Sequence, residues 1–326
     1  MLLVTGGAGF IGSNIVAALN EAGRADVAVC DVLGHDGKWR NLAKRQLADI
    51  VPPSELLSWL DGRKLDAVIH MGAISETTAT DGDLVIETNF RFSMRLLDWC
   101  TERGVPFIYA SSAATYGNGE QGFADDPSLA ALKSLRPMNL YGWSKHLFDM
   151  AVMNRASRGE RLPPQWAGLK FFNVFGPNEY HKDAMMSVLA KRFDDVRSGR
   201  VVELFKSHRD GIADGDQRRD FIYVDDVVRV VMWLLATPAV SGLFNVGTGK
   251  ARSFRDLMLS AYAALGAVPN IRYIDMPASI RDSYQYFTQS EVDRLQRAGY
   301  NGGFTALEQA VGLYVKGYLD QSDRYR

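Results

Sequence analysis

The stretch 4–14, VTGGAGFIGSN, joins a short apolar run to an amphipathic one through three spaced glycines. Gly6 permits a tight turn, Gly9 lets the backbone approach a pyrophosphate, and Gly12 lets a helix pack closely on a strand. The free backbone amides at the start of the following helix favour phosphate groups. We therefore predict a strand–turn–helix unit that binds a dinucleotide.

Short apolar runs alternate with longer amphipathic runs through the first half of the chain. Buried strands are predicted at MLLVT, VAVCD, DAVIHMG and PFIYASS. Between them, FIGSNIVAALNEAG, PSELLSWLDG and VIETNFRFSMRLLDWCTERG have the periodicity of helices. Strand–helix–strand units at this spacing predict an α/β fold, a Rossmann-type doubly wound parallel sheet with helices on both faces.

The regular alternation ends near residue 172. HRDGIADGDQRRD is polar and predicts a surface loop, whereas RDFIYVDDVVRVVMWLLAT and GLFNVGTG again predict strand–helix–strand. We therefore expect a Rossmann domain over 1–172, with parts of about 221–248 and 285–300. A smaller, discontinuous α/β substrate-binding domain would take about 173–220, 249–284 and 301–326.

Composition narrows the class of protein. The formal net charge is −1, from 37 basic and 38 acidic residues, which argues against nucleic acid or an anionic membrane as a partner. Cys30 and Cys100 lie far apart, so we expect neither a disulfide nor a zinc site. MLLVT does not resemble a leader, and VVRVVMWLLATPAV contains Arg229 and is too short to span a bilayer. We expect a soluble, cytoplasmic protein.

An acidic residue follows the second predicted strand. Asp31 lies 19 residues after Gly12, where a carboxylate accepts hydrogen bonds from the adenosine ribose and favours NAD. Lys38 or Arg40, a few residues on, could instead meet the 2′-phosphate of NADP. The residues leave both cofactors open.

A serine, a tyrosine and a lysine have the spacing of a proton-transfer site. Ser112 ends a predicted strand in YASSAATYG, and Tyr141 and Lys145 lie four apart at the head of a helix in NLYGWSKHLFDM. A lysine ammonium beside the phenol lowers the pKa of the phenol. Tyr141 could then take a proton near neutral pH while Ser112 holds the substrate oxygen.

Four motifs, TGGAGFIG, SSAATYG, YGWSK and FFNVFGP, together resemble the extended short-chain dehydrogenase/reductase family of nucleotide-sugar epimerases and dehydratases. The resemblance covers essentially the whole chain. A narrower likeness, to the branch that inverts C6 of ADP-activated glycero-manno-heptose for the lipopolysaccharide inner core, is carried by FADD, NVFGPNEYHK, RRDFIYVDDV, FNVGTG and SYQYFTQSEVDRLQRAGY.

The resemblance implies one tightly bound NADP per subunit, with NAD as the alternative, and Lys38 on the extra phosphate. It also implies a homo-oligomer, a pentamer in the family. The residues implied in cofactor binding are Gly6, Gly9, Phe10, Ile11, Gly12, Asp31, Val32, Lys38, Met71, Gly72, Ala73, Ile74, Ser75, Asn89, Tyr141, Lys145 and Val174.

The implied reaction oxidises C6 of the sugar to a ketone and reduces it from the other face, with no net redox change. Two proton-handling groups serve the two positions of the oxygen. One is Tyr141, supported by Lys145 and Ser112, and the other is Lys182 in YHKDAMMS. The residues implied in substrate binding are Ser112, Asn173, Lys182, Phe205, Lys206, Ser207, His208, Arg219 and Tyr284.

Three other functions were weighed against this one. A nucleotide-sugar 4-epimerase of the same family has no use for Lys182. A 4,6-dehydratase needs an acidic pair after the serine, where this chain has Ala113 and Ala114. A non-catalytic dinucleotide-binding regulator often loses the tyrosine or the lysine, and this chain keeps both.

Overall fold

The computed structural model describes residues 1–281 and 284–326. Strands in the described part of the chain are β1 (Leu2–Thr5), β2 (Val27–Cys30), β3 (Asp49–Val51), β4 (Ala67–His70), β5 (Phe107–Ser112), β6 (Trp166–Phe171), β7 (Asn173–Phe175), β8 (Val202–Phe205), β9 (Arg218–Tyr223), β10 (Gly242–Val246), β11 (Ala251–Ser253) and β12 (Ile271–Ile274).

Seven of these strands form one parallel sheet in the order β3-β2-β1-β4-β5-β6-β10. The chain starts in the middle of the sheet and winds outward in both directions, so the order reverses between β1 and β4. This confirms the predicted fold class. The four strands predicted from apolar runs all form, as β1, β2, β4 and β5. Ligands of such sheets bind at the carboxyl ends of the strands near the reversal.

The strands of this sheet are apolar throughout because both faces are covered. Leu3 and Val4 are neighbours in β1, and both are fully buried, in two different clusters on opposite faces. Side chains alternate across a strand, so a one-sided sheet would have left one of the two in water. Burial of each such side chain contributes about 1.5–3 kcal/mol.

The α-helices within the same ranges are α1 (Phe10–Glu21), α2 (Leu56–Trp59), α3 (Gly82–Ile86), α4 (Phe92–Arg103), α5 (Leu129–Ser134), α6 (Leu140–Ser157), α7 (Val188–Arg197), α8 (Val224–Ala236), α9 (Phe254–Leu265), α10 (Ala278–Arg281), α11 (Asp293–Arg297) and α12 (Leu307–Tyr314). Short 3-10 helices form at Lys38–Leu42, Ala113–Tyr116 and Tyr180–Met185, and π-helical turns at Glu87–Arg91 and Val315–Leu319.

The predicted helices match the observed ones in position better than in length. The run predicted from Val85 to Gly104 is interrupted by the π-helical turn between α3 and α4, and it ends at Gly104 in the left-handed conformation. The run at PSELLSWLDG forms only the four residues of α2. The loop predicted at HRDGIADGDQRRD ends earlier than expected, because Arg218 already belongs to β9.

The second half of the chain builds two smaller sheets. β9 pairs with β7 in parallel and with β11 antiparallel, and β12 pairs with β8. The strand–helix–strand unit predicted after residue 218 forms, but its first strand belongs to the three-stranded sheet and not to the large one. The side chains of β8 and β9 pack with α7, α9 and α12 in a third apolar cluster.

The proposed division into two discontinuous domains stays a prediction. Its closest structural counterpart is the separation of the third cluster from the two clusters that cover the large sheet. None of the helices in the described ranges combines the length and the apolar character needed to cross a bilayer. Over those ranges, no group of three or more His, Cys, Asp or Glu side chains could hold a metal ion.

Candidate functional site

The glycine-rich turn lies between β1 and α1, at the carboxyl end of the central strand. Its chain reverses tightly, since the N–H of Gly9 donates to the carbonyl of Gly6 at 3.0 Å. A Cβ on Gly12 would lie 2.1 Å from that same carbonyl, so only glycine allows α1 to start this close. Phe10 is buried and Ile11 half-buried. The predicted strand–turn–helix unit is therefore present.

The carboxylate of Asp31, just after β2, faces this turn. Its Oδ2 accepts from the backbone N–H of Ala8 at 2.8 Å, and its Oδ1 lies 2.6 Å from Nζ of Lys38. Val32, which follows it, is 64% exposed. Arg40 is exposed and lies over the Trp39 ring at 5.9 Å, so the structure brings Lys38 and not Arg40 to Asp31.

The segment 71–75, MGAIS, follows β4 and packs beside the glycine-rich turn. The N–H of Gly72 donates to the Thr5 hydroxyl at 3.1 Å, and a Cβ on Gly6 would lie 2.6 Å from Gly72 N. Residues 71–74 are half-buried, while Ser75 is exposed. Residues 71–74 and the turn thus line one continuous surface at the edge of the sheet.

Asn89 connects this surface to the helix that carries the tyrosine and the lysine. Its Oδ1 accepts from Ile74 N at 2.8 Å, while its Nδ2 donates to Ile74 O at 2.9 Å and to the Ser144 hydroxyl at 3.0 Å. Asn89 is fully buried in the π-helical turn. A π-helical turn inside a longer helix is often found at functional sites.

Ser112 and Tyr141 meet at the end of β5. Burial raises the pKa of Tyr141, and a hydrogen bond with the Ser112 side chain opposes that shift. Gly142 makes this approach possible, because a Cβ there would lie 2.7 Å from Ala114 O in the neighbouring 3-10 helix. The two hydroxyl groups that the sequence predicted to act together are adjacent.

Lys145 lies one turn along α6 from Tyr141, and it is 3% exposed. Its Nζ donates to the carbonyl of Ala110 at 2.9 Å. Burial lowers the pKa of Lys145 to about 8, and the charge of Asp149 opposes that shift. Lys145 is therefore largely protonated at neutral pH, one helical turn from Tyr141.

A buried ion pair lies behind Lys145. Nζ of Lys170 is 2.7 Å from Oδ2 of Asp149, and both side chains are at most 1% exposed. Asp149 also accepts from the hydroxyl groups of Ser111 at 2.7 Å and Tyr109 at 3.2 Å. The sequence analysis missed this pair, because nothing in the local pattern tells a buried charged residue from a surface one.

Lys182 lies in the 3-10 helix Tyr180–Met185, half-buried, with Nζ 5.5 Å from the centroid of the Phe10 ring. Burial lowers the pKa of Lys182, and the carboxylate of Glu179 opposes that shift. The structure thus brings Lys182 to the first residue of α1, beside the glycine-rich turn. Asp183 next to it is exposed, with φ +43°.

His181 faces a different neighbour from Lys182. Its Nδ1 lies 3.3 Å from Nδ2 of Asn41. Burial lowers the pKa of His181, and the charge of Lys38 lowers it further. His181 therefore lies on the side of the Asp31–Lys38 pair, which the sequence analysis did not anticipate.

Glu179 and Asn41 organise the segment around Lys182, and sequence reasoning missed both. Glu179 is 1% exposed and accepts from Ser187 N and Oγ at 2.5 and 2.8 Å and from the Tyr314 hydroxyl at 3.1 Å. Nδ2 of Asn41 donates to Ala8 O at 2.8 Å and to Asn178 O at 3.1 Å. Glu179 falls inside the motif NVFGPNEYHK, but a motif alone does not indicate burial.

Asn173 and Val174 lie in β7, directly after the large sheet is left. Asn173 is exposed and Val174 half-buried, packed between the first and third apolar clusters. β7 pairs in parallel with β9, which begins next to Arg219. The structure therefore sets these two residues between the sheet edge and the second half of the chain.

Arg219 lies in an aromatic pocket. It is 7% exposed, its guanidinium carbon is 5.2 Å from the Tyr284 ring and 5.6 Å from the Phe254 ring, and its Nη1 donates to Arg218 O at 2.8 Å. Burial lowers the pKa of Arg219. Within residues 1–281 and 284–326, no carboxylate forms an ion pair with it.

Phe205 joins this pocket from the end of β8, edge-to-face with Tyr284 at 6.3 Å. The loop after it is held by side-chain acceptors, since Ser207 N donates to Asp214 Oδ1 at 2.7 Å within the loop and His208 N donates to the Tyr286 hydroxyl at 3.0 Å outside it. Lys206 lies 3.5 Å from Asp275. Of the four residues predicted here, Phe205 contacts the arginine pocket through Tyr284, and His208 is exposed.

Comparison with known proteins places this geometry in a family. The family model described as the NAD dependent epimerase/dehydratase family matches residues 2–247. A Nitratidesulfovibrio vulgaris protein named ADP-L-glycero-D-manno-heptose-6-epimerase is 48% identical over 329 residues, covering 100% of both chains. A Fusobacterium nucleatum protein of the same name is 43% identical over 335 residues, again covering 100% of both.

Solved structures give the same relationship. That of the Helicobacter pylori ADP-L-glycero-D-manno-heptose-6-epimerase has a TM-score of 0.79 at 28% identity, covering 97% of this chain and 95% of the other. The Thermus thermophilus UDP-glucose 4-epimerase in complex with NAD has a TM-score of 0.75 at 26% identity, covering 97% of each chain. The family's description and this complex both name NAD, in agreement with a nicotinamide cofactor. The motifs had predicted this group, and the chain belongs to the NAD dependent epimerase/dehydratase family.

Proposed function

We propose that this protein inverts C6 of ADP-D-glycero-D-manno-heptose to give ADP-L-glycero-D-manno-heptose, using tightly bound NADP. The names of the full-length relatives support this activity. One structural observation carries it further, which is Lys182 half-buried over Phe10 beside the glycine-rich turn. Ser112, Tyr141 and Lys145 serve any member of the family, whereas a second base serves an inversion outside the ring.

C6 of the heptose has no acidic neighbouring proton, so direct removal of its proton is unfavourable. A bound nicotinamide would supply reversible hydride transfer at C6, so that the sugar would pass through a 6-ketone with no net redox change. The protein must therefore handle the hydroxyl proton in two positions, one for each epimer.

Tyr141 handles the proton in the first position. Its hydroxyl lies close to that of Ser112, and a substrate oxygen between the two can give its proton to Tyr141 while Ser112 orients it. The Lys145 ammonium, one turn away on α6, stabilises the phenolate that makes Tyr141 a base. Burial works against that phenolate, so its formation depends on this charge.

Lys182 handles the proton in the second position. Its amine comes from the loop after β7, and burial lowers its pKa below the ordinary value for a lysine, which favours the neutral amine that a base requires. Asn173, exposed at the start of β7, contacts the sugar between the two bases. Val174 beside it closes the nicotinamide side.

Arg219 binds the diphosphate of the substrate. A guanidinium offers paired donors that match phosphate oxygens, and the aromatic rings on either side keep it in place. Tyr284 covers the substrate from that side. Residues 205–208 contact the nucleotide, with Phe205 the member that packs against Tyr284.

The residues fit a dinucleotide at the sheet edge. No described side chain caps the start of α1, so the amides of its first turn are available for phosphates. Asp31 and Lys38 would hold the adenosine end, and Lys38 would supply the cation that a 2′-phosphate requires. Residues 71–75 and Asn89 line the remainder.

The substrate defines the decisive experiment. The purified protein is incubated with ADP-D-glycero-D-manno-heptose, with and without added NADP, and the C6 epimer is followed by NMR. We expect an equilibrium mixture of the two epimers, and mass spectrometry of the nucleotide that co-purifies should give NADP. Failure to convert the heptose in either condition would refute the proposed activity.

A 4-epimerase of the same family gives a different result in the same assay. It would act on a UDP-hexose and would keep its turnover in Lys182→Met, because inversion at C4 needs only Tyr141. We expect Lys182→Met to lose about 100-fold or more in heptose turnover. Lys133→Met, which removes an exposed lysine from α5, serves as the control and should not change turnover.

We extend the proposal to the organisation of the protein. The discontinuous two-domain division would place Tyr141 and the cofactor in the Rossmann domain and Arg219 in the substrate-binding domain. The resemblance implies a homo-oligomer, a pentamer in the family. Light scattering coupled to size exclusion measures its molar mass and hence its number of subunits.

A further inference from the structure

The last four residues of the sequence, 323–326, lie against the loop that leads to Lys182, and we refer to them as the strap. The hydroxyl of Tyr180 donates to the carbonyl of Arg324 at 2.8 Å. The rings of Tyr180 and Tyr325 pack edge-to-face, with centroids 5.3 Å apart and planes at 86°. The strap thus holds the side chain of Tyr180, two residues before Lys182.

A second contact lies four residues before Lys182. The backbone N–H of Arg326 donates to Oδ1 of Asn178 at 3.0 Å. Asn178 is fully buried and has φ +73°, which is an unfavourable conformation for a residue other than glycine. Its Nδ2 donates to the Ser13 hydroxyl at 3.0 Å, so Asn178 is held between α1 and the strap.

The side chain of Arg326 anchors the strap to the helix that follows the glycine-rich turn. Its guanidinium is 2.6 Å from Asp225 Oδ1 and 3.0 Å from Glu21 Oε2, and it lies 3.3 Å from Oδ1 of Asn14. Asn14 in turn donates to the carbonyl of Phe10 at 2.9 Å. Arg326 is 14% exposed, so these contacts are less screened by water than those of an ordinary surface pair.

Two further ion pairs fix the rest of the strap. Lys44 Nζ lies 2.6 Å from Asp323 and 2.7 Å from the carbonyl of Tyr325, and Arg324 lies 2.9 Å from Asp194. Every residue of the strap makes a contact outside it, and those of Arg324, Tyr325 and Arg326 include the loop that carries Lys182.

This loop needs external support. Asn178 and Asp183 both have positive φ, on either side of Lys182. Such conformations persist only where the surroundings over-determine them. Glu179 supports the loop from inside, through Ser187 and Tyr314, and the strap supports it from outside.

We propose that the strap is a positioning element for Lys182, acting through Arg326 and Tyr325 to keep the amine over Phe10. The inference rests on the proposed role of Lys182 as the second base. The strap makes no hydrogen bond to Ser112 or Tyr141 within the described residues, so its loss should act on Lys182 and not on Tyr141.

Arg326→Ala and Tyr325→Ala test the positioning role. We expect each to lower kcat for heptose epimerisation about tenfold, with less than about a twofold change in KM or in the Kd of NADP, because misplacement of a reacting group lowers the rate rather than binding. Arg326→Lys and Tyr325→Phe, which keep the charge and the ring, should recover most of the loss.

Arg24→Ala is the matched control. Arg24 also pairs with two carboxylates, Asp26 and Asp66, but these lie where β2 and β4 begin, away from the carboxyl ends of the strands. It should lower thermal stability to a similar extent and leave kcat unchanged. An equal loss of kcat in Arg24→Ala would mean that Arg326 acts on stability alone, and would overturn the inference.

A double-mutant cycle and hydrogen exchange separate this inference from the proposed function. In the Lys182→Met background, Arg326→Ala should cause no further loss of kcat. In the wild-type background, Arg326→Ala should speed amide exchange at 178–185 at least about tenfold, and Arg24→Ala should not. Unchanged amide exchange in Arg326→Ala would refute the positioning role of the strap, whatever the activity of Lys182→Met. Faster exchange in Arg326→Ala together with full activity of Lys182→Met would instead refute the role of Lys182 as the second base.

Discussion

The Lys38 ammonium lies 2.6 Å from Oδ1 of Asp31, at the carboxyl end of β2. The other carboxylate oxygen is already engaged with the N–H of Ala8 at 2.8 Å. A free carboxylate at this position binds both ribose hydroxyls of NAD, but here one oxygen holds the glycine-rich turn and the other holds a cation. We propose that this arrangement favours a 2′-phosphate, which Lys38 can meet.

Lys38→Ala should weaken NADP binding about tenfold, or about 1.4 kcal/mol, and leave NAD binding unchanged or stronger. The loss arises because the 2′-phosphate would face the Asp31 carboxylate without a cation. Arg40→Ala is the control, since Arg40 lies over Trp39 and not beside Asp31. Calorimetric titration of nucleotide-free protein measures the affinity of each variant for NADP and for NAD, to be compared with those of the wild type. Equal losses in the two variants would contradict the assignment of Lys38.

Asn89→Ala should lower both stability and turnover. It leaves the backbone groups of Ile74 without their side-chain partner in a buried site, at a cost of about 1–3 kcal/mol, and it frees Ser144 between Tyr141 and Lys145. Asn20→Ala is the matched control, because Asn20 joins both backbone groups of Gln46 in the same way, far from the site. Denaturant unfolding should report a loss in both variants, and only Asn89→Ala should lower kcat.

The large sheet could be predicted because its information is local. Each of β1, β2, β4 and β5 is a short apolar run that must be buried on both faces, and a spacing of one helix between runs permits only parallel crossover connections. The place of β9 could not be predicted, because it does not depend on local information. Its sequence resembles that of a buried strand, and nothing in it distinguishes a place in the large sheet from one in the small sheet.

The candidate site was predicted where a motif is contiguous and missed where contacts are distant. Tyr141 and Lys145 are four residues apart and share a helix face by geometry alone. Asn178 and Arg326 are 148 residues apart in the chain, and neither has an unusual local pattern. The same holds for Asp149 and Lys170, whose burial is decided by the packing of α6 on the sheet.

The two buried lysines behind the phenol should respond oppositely to replacement by methionine. Lys145 has a backbone carbonyl for a partner, so Lys145→Met should raise the free energy of unfolding at pH 7 by about 1–3 kcal/mol, while turnover falls about 100-fold or more. Lys170→Met leaves the Asp149 carboxylate buried without its cation and should lower stability by about 3–5 kcal/mol. Urea unfolding of both variants decides this, and a loss of stability in Lys145→Met would contradict it.

The stability gained in Lys145→Met should also depend on pH. The pKa of Lys145 is about 8 in the folded protein, against an ordinary 10.5. Between these values the unfolded chain binds more protons, so the free energy of unfolding contributed by Lys145 rises with pH. The advantage of Lys145→Met should therefore be full below pH 8 and should shrink by at least about half at about pH 9.5. A constant difference from pH 7 upward would show that burial does not penalise this ammonium.

Arg219→Met should weaken the binding of ADP and of the nucleotide sugar while the protein stays folded. Its guanidinium lies between the rings of Tyr284 and Phe254, and a methionine can fill the same space. Loss of a charged hydrogen bond to the diphosphate should reduce affinity at least about tenfold, corresponding to about 1.5–3 kcal/mol. Arg218→Met is the control, because Arg218 is exposed at the start of β9.

Thermal shift with ADP separates binding from folding in these two variants. Arg219→Met should keep the melting temperature of the free protein within a few degrees and lose most of the stabilisation that saturating ADP gives the wild type. Arg218→Met should keep that stabilisation. Equal shifts in the two variants would mean that the diphosphate binds away from the aromatic pocket. The Phe205–Tyr284 contact closes the same pocket, so we expect Phe205→Ala to reduce the shift as well. If the diphosphate bound elsewhere, Phe205→Ala would leave the shift unchanged.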